Sequence, residues 1–149
     1  MVTVKDLLKK LKGVNITSLT ATVIKDNQNQ IVQVNQIALD KGENYLGQTV
    51  GLYSKATELI AKENPIPNQP KKAGQPYNFD WSGNLLERMF ITYSNAKIKF
   101  DSRGKGDNQK QLFVSVNRLL GVDEKGEKII NFEIVLPGLQ KKFKAITKL

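Results

Sequence analysis

Histidine and cysteine are both absent from this 149-residue chain. Without imidazole or thiolate there is no Ser-His or Cys-His nucleophile pair, no zinc site of the usual nitrogen and sulfur type, and no side chain whose unperturbed pKa lies near neutrality. Carboxylate and lysine chemistry remain. Arginine is scarce: only Arg88, Arg103 and Arg118 occur, so the planar fork that grips phosphates and guanine edges is almost missing. Long apolar runs are lacking too. Ile134-Val135-Leu136 is among the longest, far short of the roughly 20 residues that cross a bilayer. The first residues, Met1 to Leu8, lack a basic region followed by an apolar stretch and a small-residue cleavage site. The expectation is a chain made and used in a cytoplasm, with which the lack of cysteine agrees.

What is present is lysine. Lys plus Arg number 23 against 14 Asp plus Glu, for a net charge of +9. Lysine is a solvated point charge, so this excess favours solubility and loose attraction to polyanions over base-specific reading. The length fits one compact domain, residues 1–149, able to bury roughly two thirds of its unfolded surface without disulfides or metal.

Val4, Leu7, Leu8 and Leu11 lie at helical spacing before Gly13, which reads as a short amphipathic helix with a glycine stop. A longer helix is expected from Thr17 or Ser18 as N-cap to Gly42. Its stripe is Leu19, Val23, Ile24, Ile31, Val34, Ile37 and Ala38, interrupted at Asn27 and Gln28. The other face is rich in Asn and Gln. Glycines 42, 47 and 51 alternate with Tyr45, Leu46, Val50 and Leu52 without matching a phosphate loop or a dinucleotide fingerprint. Ser54 is the expected cap of a helix to about Asn64. The Pro- and Lys-rich stretch from Asn64 to Asn78 then reads as a projecting loop.

Ser82 or Asp80 is expected to cap a short helix carrying Leu85, Leu86 and Met89 inward. Phe90 to Tyr93 and Lys97 to Asp101 read as a hairpin about Ser94-Asn95-Ala96, with Ile98 and Phe100 inside. The Gly-rich loop from Ser102 to Asn108 carries Arg103 and Lys105. It reads first as a turn, and second as a phosphate cradle. Near the C-terminus Ile129, Phe132, Leu136, Leu139, Phe143 and Ile146 are spaced 3, 4, 3, 4, 3, which predicts one apolar core seam of a helix kinked or split at Pro137. A strand through Ile130, Phe132, Ile134 and Leu136 is the alternative. Lys141, Lys142, Lys144 and Lys148 suit the negative end of that helix. The fold class is α+β: a long N-terminal helix, a small antiparallel sheet with a hairpin, and a C-terminal basic helix.

For catalysis, the acids nearest apolar surroundings are Glu58, Glu87, Glu133 and Asp80, on helix faces and caps. A glycosidase of muramidase type needs two carboxylates about a sugar bond. The densest polar and aromatic region, Tyr77 to Trp81, holds one acid. The chain reads as a non-enzyme, with no catalytic residue, cofactor or metal expected.

Several short stretches together resemble a particular group. They are Leu39-Asp40-Lys41-Gly42-Glu43-Asn44, Leu46-Gly47, Gly51-Leu52-Tyr53-Ser54-Lys55-Ala56-Thr57, Gly74-Gln75-Pro76-Tyr77, Asp80-Trp81-Ser82-Gly83-Asn84-Leu85 and Leu119-Leu120-Gly121-Val122-Asp123. This order is similar to small neck and tail virion proteins of crAss-like and related Bacteroides phages, over about residues 17 to 148. Ser82-Gly83 stands where that family has Thr-Gly, and Leu85 where it has an aromatic. The resemblance implies a tail-completion or head–tail joining subunit. It would act in a symmetric ring, beside other neck and tail proteins or the portal, in a virion assembled in a bacterial cytoplasm.

On that reading the candidate subunit contacts are Tyr45, Leu46, Leu52, Tyr53, Pro65, Pro67, Lys71, Lys72, Tyr77 and Trp81. The candidate polyanion contacts are Arg103, Lys105, Lys141 and Lys142, for nonspecific attraction to DNA. No membrane partner is expected. A basic nucleic-acid-binding module is the alternative, and would need Tyr93, Phe100 or Phe113 exposed for stacking. A lysozyme-like enzyme is the third reading.

Overall fold

The apolar stripe after Asn15 builds the middle of the molecule. In the computed structural model, which describes residues 4–64, 71–79, 84–104 and 119–147, two helices carry that stripe, α2 (Ile16–Asp26) and α3 (Gln28–Asp40). The expected single helix is divided at Asn27, whose backbone leaves the helical region while its side-chain amide donates to the Val23 carbonyl at 2.8 Å. Asparagine competes for backbone groups in this way, which makes it a poor interior helix residue. The N-cap is Asn15, two or three residues earlier than the hydroxyls expected, and its Oδ1 accepts from the Ser18 N–H at 3.0 Å. Val23, Ile24, Ile31, Val32, Asn35 and Leu39 are buried, whereas Ile37, placed on the inner stripe by its spacing, is exposed. Before them, α1 (Val4–Lys12) ends at Gly13.

The stop at Gly42 is a Schellman motif. The Glu43 N–H donates to the Ala38 carbonyl and the Gly42 N–H to that of Leu39, both at 2.9 Å, with Gly42 at φ +78. A side chain here would also strike the Tyr77 carbonyl. This position therefore demands glycine twice over.

Residues 43–49 fold back on themselves, Glu43 facing Thr49, and the chain then enters α4 (Lys55–Glu63), capped by Ser54, whose Oγ accepts from the Thr57 N–H at 3.1 Å. After the short α5 (Asn84–Glu87), β1 (Met89–Ser94) and β2 (Lys97–Ser102) form a two-stranded antiparallel sheet, from Met89 opposite Ser102 to Ser94 opposite Lys97. The expected alternation holds, with Lys97 and Lys99 exposed, Ile98 half-buried and Phe100 buried. Asn95 and Ala96 close the hairpin at φ 50 and 57, the geometry of a two-residue turn that matches strand twist. The fold is thus α+β, and its core joins Ile24, Ile31 and Leu39 to Leu85, Met89, Phe100, Leu119 and Ile130. Each such side chain contributes about 1.5–3 kcal/mol on burial. The expected caps Ser82 and Asp80 lie outside the described residues.

The C-terminal region departs most from expectation. After α6 (Glu124–Lys128), capped by Asp123, comes a π-helical segment, π1 (Ile129–Val135), and then α7 (Leu136–Thr147). The Leu136 N–H reaches the Asn131 carbonyl, five residues back. Pro137 follows at once, inside α7, so the widened turns sit where a proline ring would crowd an ordinary helix. The region is helical throughout, and the strand alternative is overturned. So is the core seam. Wider turns advance the inward line by four or five residues, bringing Ile130, Ile134, Val135 and Gly138 inside. Ile129, Phe132, Leu136 and Ile146 are exposed, Phe132 at 65% of its full area. Gly138 lets α7 approach α2 closely, since a Cβ there would run into Val23.

Candidate functional site

The glycine-rich segment and the end of the proline-rich stretch form one substructure. The Tyr53 N–H donates to the Gln75 carbonyl at 2.9 Å, the Gly74 N–H to the Tyr53 carbonyl at 2.9 Å, and the Tyr77 N–H to the Gly51 carbonyl at 3.0 Å. Leu52 faces Pro76 in this short antiparallel bridge. Residues 71–78 are therefore tied to the domain, where the sequence predicted a projecting loop. The expected contacts Pro65, Pro67 and Trp81 lie outside the described residues.

Lys71 was expected at a subunit surface and is instead 2% exposed. Its ammonium donates to Asn78 Oδ1 and lies 5.5 Å from the centre of the Tyr53 ring. The Tyr53 hydroxyl donates to the same Asn78 oxygen at 2.8 Å and accepts from the Asn78 N–H at 3.1 Å. Tyr53 meets Tyr77 edge to face at 4.9 Å, and Tyr77 meets Phe79 at 6.2 Å. A lysine is buried only where its charge is paired, and here Asn78 Oδ1 accepts from the ammonium while the Tyr53 ring offers it a face. Tyr53 and Tyr77, half-buried, serve this internal cluster. Tyr45 is half-buried against Gly121. Leu46, Leu52 and Lys72 are exposed.

Glu58 links α4 to this cluster. Its carboxylate accepts from the Ala73 N–H at 3.0 Å and pairs with Lys62 at 2.8 Å. The Lys62 hydrogen bond, then the Ala73 N–H, hold its pKa below the usual glutamate range. A carboxylate so engaged is an anchor for α4. The helix needs one, because it buries none of its residues and leaves Leu59 and Ile60 exposed at 60% and 50%. Glu87 and Glu133 are exposed on separate elements, and Asp80 lies outside the described residues.

The polyanion candidates are scattered. Arg103 is exposed, with its guanidinium 5.3 Å from the centre of the Phe90 ring. Lys105 lies outside the described residues. Lys142 is paired with Asp26 at 2.7 Å, tying α7 to α2, while Lys141 is exposed. Phe100 is buried and Tyr93 half-buried, so neither offers the open ring that stacking on bases requires. Phe113 lies outside the described residues.

The sequence did not single out the apolar surface that the structure leaves open. Ile129, Phe132 and Leu136 lie exposed along π1 and the start of α7. Ile16 and Leu19 of α2, with Leu139 and Phe143 on the same face of α7 as Leu136, line an apolar groove of about 490 Å³ that Lys144 also borders. A second groove beside it shares Leu19 and brings in Lys9 and Lys10 of α1 and Ile146 of α7. Among the described residues no group of three or more acids is placed to hold a metal ion, and no helix is long and apolar enough to cross a membrane. Comparison with family models, with curated proteins and with solved structures found no match. The likeness to phage neck and tail proteins rests on the sequence stretches alone.

Proposed function

We propose that this chain is a non-enzymatic assembly subunit, a tail-completion or head–tail joining component of a phage particle that works in a symmetric ring. The observation that carries the reading is exposed apolar area on the C-terminal helical region: Phe132 is exposed to 65% of its full area, Leu136 to 42% and Ile129 to 38%. Exposed apolar area of this kind marks interaction surfaces, and a ring subunit repeats its contact with each neighbour. The α4 helix adds Leu59 and Ile60, on an element that the domain holds chiefly through Glu58. On this reading α2 and α3 are two segments that meet at Asn27, and the change from π to α helix at Leu136, directly before Pro137, takes the place of a kink. The partners are further copies, neighbouring neck or tail proteins and the portal, and the site of action is the virion.

A second reading, nonspecific polyanion contact, is favoured by the lysines of α1 and α7. Lys9 and Lys10 line one groove with Ile146, and Lys144 edges the next. It is compatible with the first, since a neck component lies beside packaged DNA.

Mass spectrometry of purified particles tests the assembly reading, with the chain expected at several copies per particle. A particle fraction from which it is absent would remove that reading.

A further inference from the structure

We infer that the groove between α2 and α7 is a docking site for an acidic amphipathic helix of a neighbouring protein. The inference rests on the assembly reading and gives one neighbour its chemistry. The floor of the groove is apolar: Ile16 and Leu19 from α2, Leu139 and Phe143 from α7. Its charge is of one sign. Lys144 borders this groove, Lys9 and Lys10 line the adjoining one that shares Leu19, and among the described residues no acid lines either. The acids of the surrounding helices do not offset these lysines. α7 has none, Asp26 of α2 is paired with Lys142, and Asp6 of α1 lies outside both linings. None of Lys9, Lys10 and Lys144 is ion-paired among the described residues.

Apolar contact supplies the attraction in such a site, while the cationic border sets orientation and rejects basic partners. Strand addition needs an open sheet edge, and polyproline docking needs a row of aromatic rings. Here the walls are helices and Phe143 is the one ring among the described lining residues, which leaves the helix-in-groove mode. The occupant then carries apolar residues at i, i+3, i+4 and i+7, with acids beside them to meet the lysines. Duplex DNA would meet the lysines and leave the apolar floor uncovered. A second copy is a poor occupant, because the chain carries +9 and α4, whose Leu59 and Ile60 are exposed, has as many lysines as acids.

The probe is an end-capped peptide of about 15 residues, long enough to reach partial helicity, with leucines at that spacing and glutamates on its polar face. It is titrated into the isotope-labelled full-length chain and followed by methyl resonances. A scrambled peptide of the same composition, a version with lysine for glutamate, and duplex DNA are titrated alongside. The designed helix is expected to bind about ten-fold tighter than its scramble, with the methyls of Ile16, Leu19 and Leu139 shifting first. Ile16→Gln, at a position 55% exposed, should weaken it about five-fold with melting unchanged. Lys144→Glu should weaken it too and tighten the lysine version, whereas Lys97→Glu, an exposed control on the hairpin, should change neither. Scrambled peptide binding as tightly, duplex DNA shifting the same methyls as strongly, or no response at those methyls overturns the proposed site. So does a concentration-dependent shift of those methyls in the free protein, which would give the groove to a second copy. Any of these failures, with the chain still recovered in several copies from particles, would leave the assembly reading in place and remove only this docking site.

Discussion

Asn35 and Gly121, 86 residues apart in sequence, hold each other by both amide edges: the Asn35 side-chain N–H donates to the Gly121 carbonyl, and the Gly121 N–H reaches Asn35 Oδ1 at 3.4 Å. Asn35 is fully buried in the middle of α3, so this exchange satisfies an amide that would otherwise lack partners. It also fixes the turn at Leu119-Leu120-Gly121, from which Asp123 caps α6.

The first prediction concerns this pair. Asn35→Ala strands both backbone groups of Gly121, and each unsatisfied buried group costs about 1–3 kcal/mol. Chemical denaturation should show a loss in that range, and Asn35→Asp should do no better, because the Gly121 carbonyl then faces an acceptor. A melting curve unchanged in Asn35→Ala would show that water replaces the amide.

The second separates core from surface along π1. Ile130→Ala should cost about 2–5 kcal/mol, as large-to-small changes in packed interiors do. Phe132→Ala, two residues on, should cost far less, since Phe132 is already largely in water. Equal losses would restore the core seam that the helical spacing first predicted. Gly138→Ala should destabilise as well, because the added methyl meets Val23.

The hairpin supplies a stabilising change. Ala96 sits at φ 57, a left-handed conformation that costs an ordinary residue about 1–2 kcal/mol. Ala96→Gly removes that strain and returns part of it as unfolded-chain entropy. A gain near 1 kcal/mol is expected, read as an upward shift in melting temperature. Asn95→Ala should act in the opposite direction.

Much of this fold is legible in the residues. The Lys97-Ile98-Lys99-Phe100 alternation predicts the hairpin face, Gly42 the helix stop and Ser54 the cap of α4, because each is a local signal with a local cause. The π turns are not legible. Nothing in Ile129 to Val135 specifies i→i+5 bonding, so a helical period of ordinary width assigns Ile129, Phe132 and Leu136 to the core and the structure turns them out. Lys71 is hidden for a different reason. Among prolines and lysines it reads as solvated, and only the non-local bridge of residues 51–53 with 74–77 reveals the aromatic pocket that takes its ammonium. The open apolar surfaces were unreadable in turn, because a sequence shows apolar residues without showing which find cover.

Glu58 gives the fourth prediction, a dependence on pH. Its folded pKa lies below its ordinary value of 4.5, so the unfolded chain takes up a proton first as pH falls. The stability it contributes is fully present above about pH 4.5 and is lost as pH drops through the lower folded value. Glu58→Gln should leave melting below that window unchanged relative to the parent and lower it above. The effect should appear first in the amides of α4 by hydrogen exchange. Parallel acid limbs for parent and variant would show that Glu58 does not anchor the helix.

The fifth prediction corrects a deletion that the sequence makes attractive. If Asn64 to Asn78 were a projecting loop, removing residues 66–74 would leave the domain folded. The structure places Lys71 in the aromatic cluster, Ala73 on Glu58 and Gly74 on the Tyr53 carbonyl, so this deletion removes the buried lysine, one rung of the bridge and the backbone partner of Glu58 together. It should lower stability by several kcal/mol and expose the Tyr53 and Tyr77 rings, read as increased tyrosine accessibility in near-ultraviolet spectra. Lys71→Met keeps the length of the side chain while discarding its charge, and should cost less than the deletion, because Asn78 and the Tyr53 hydroxyl still bond to each other. A deletion variant as stable as the parent, with unchanged tyrosine spectra, would show that the substructure of residues 51–53 and 71–78 contributes nothing to the fold and that the segment is free to act as an arm.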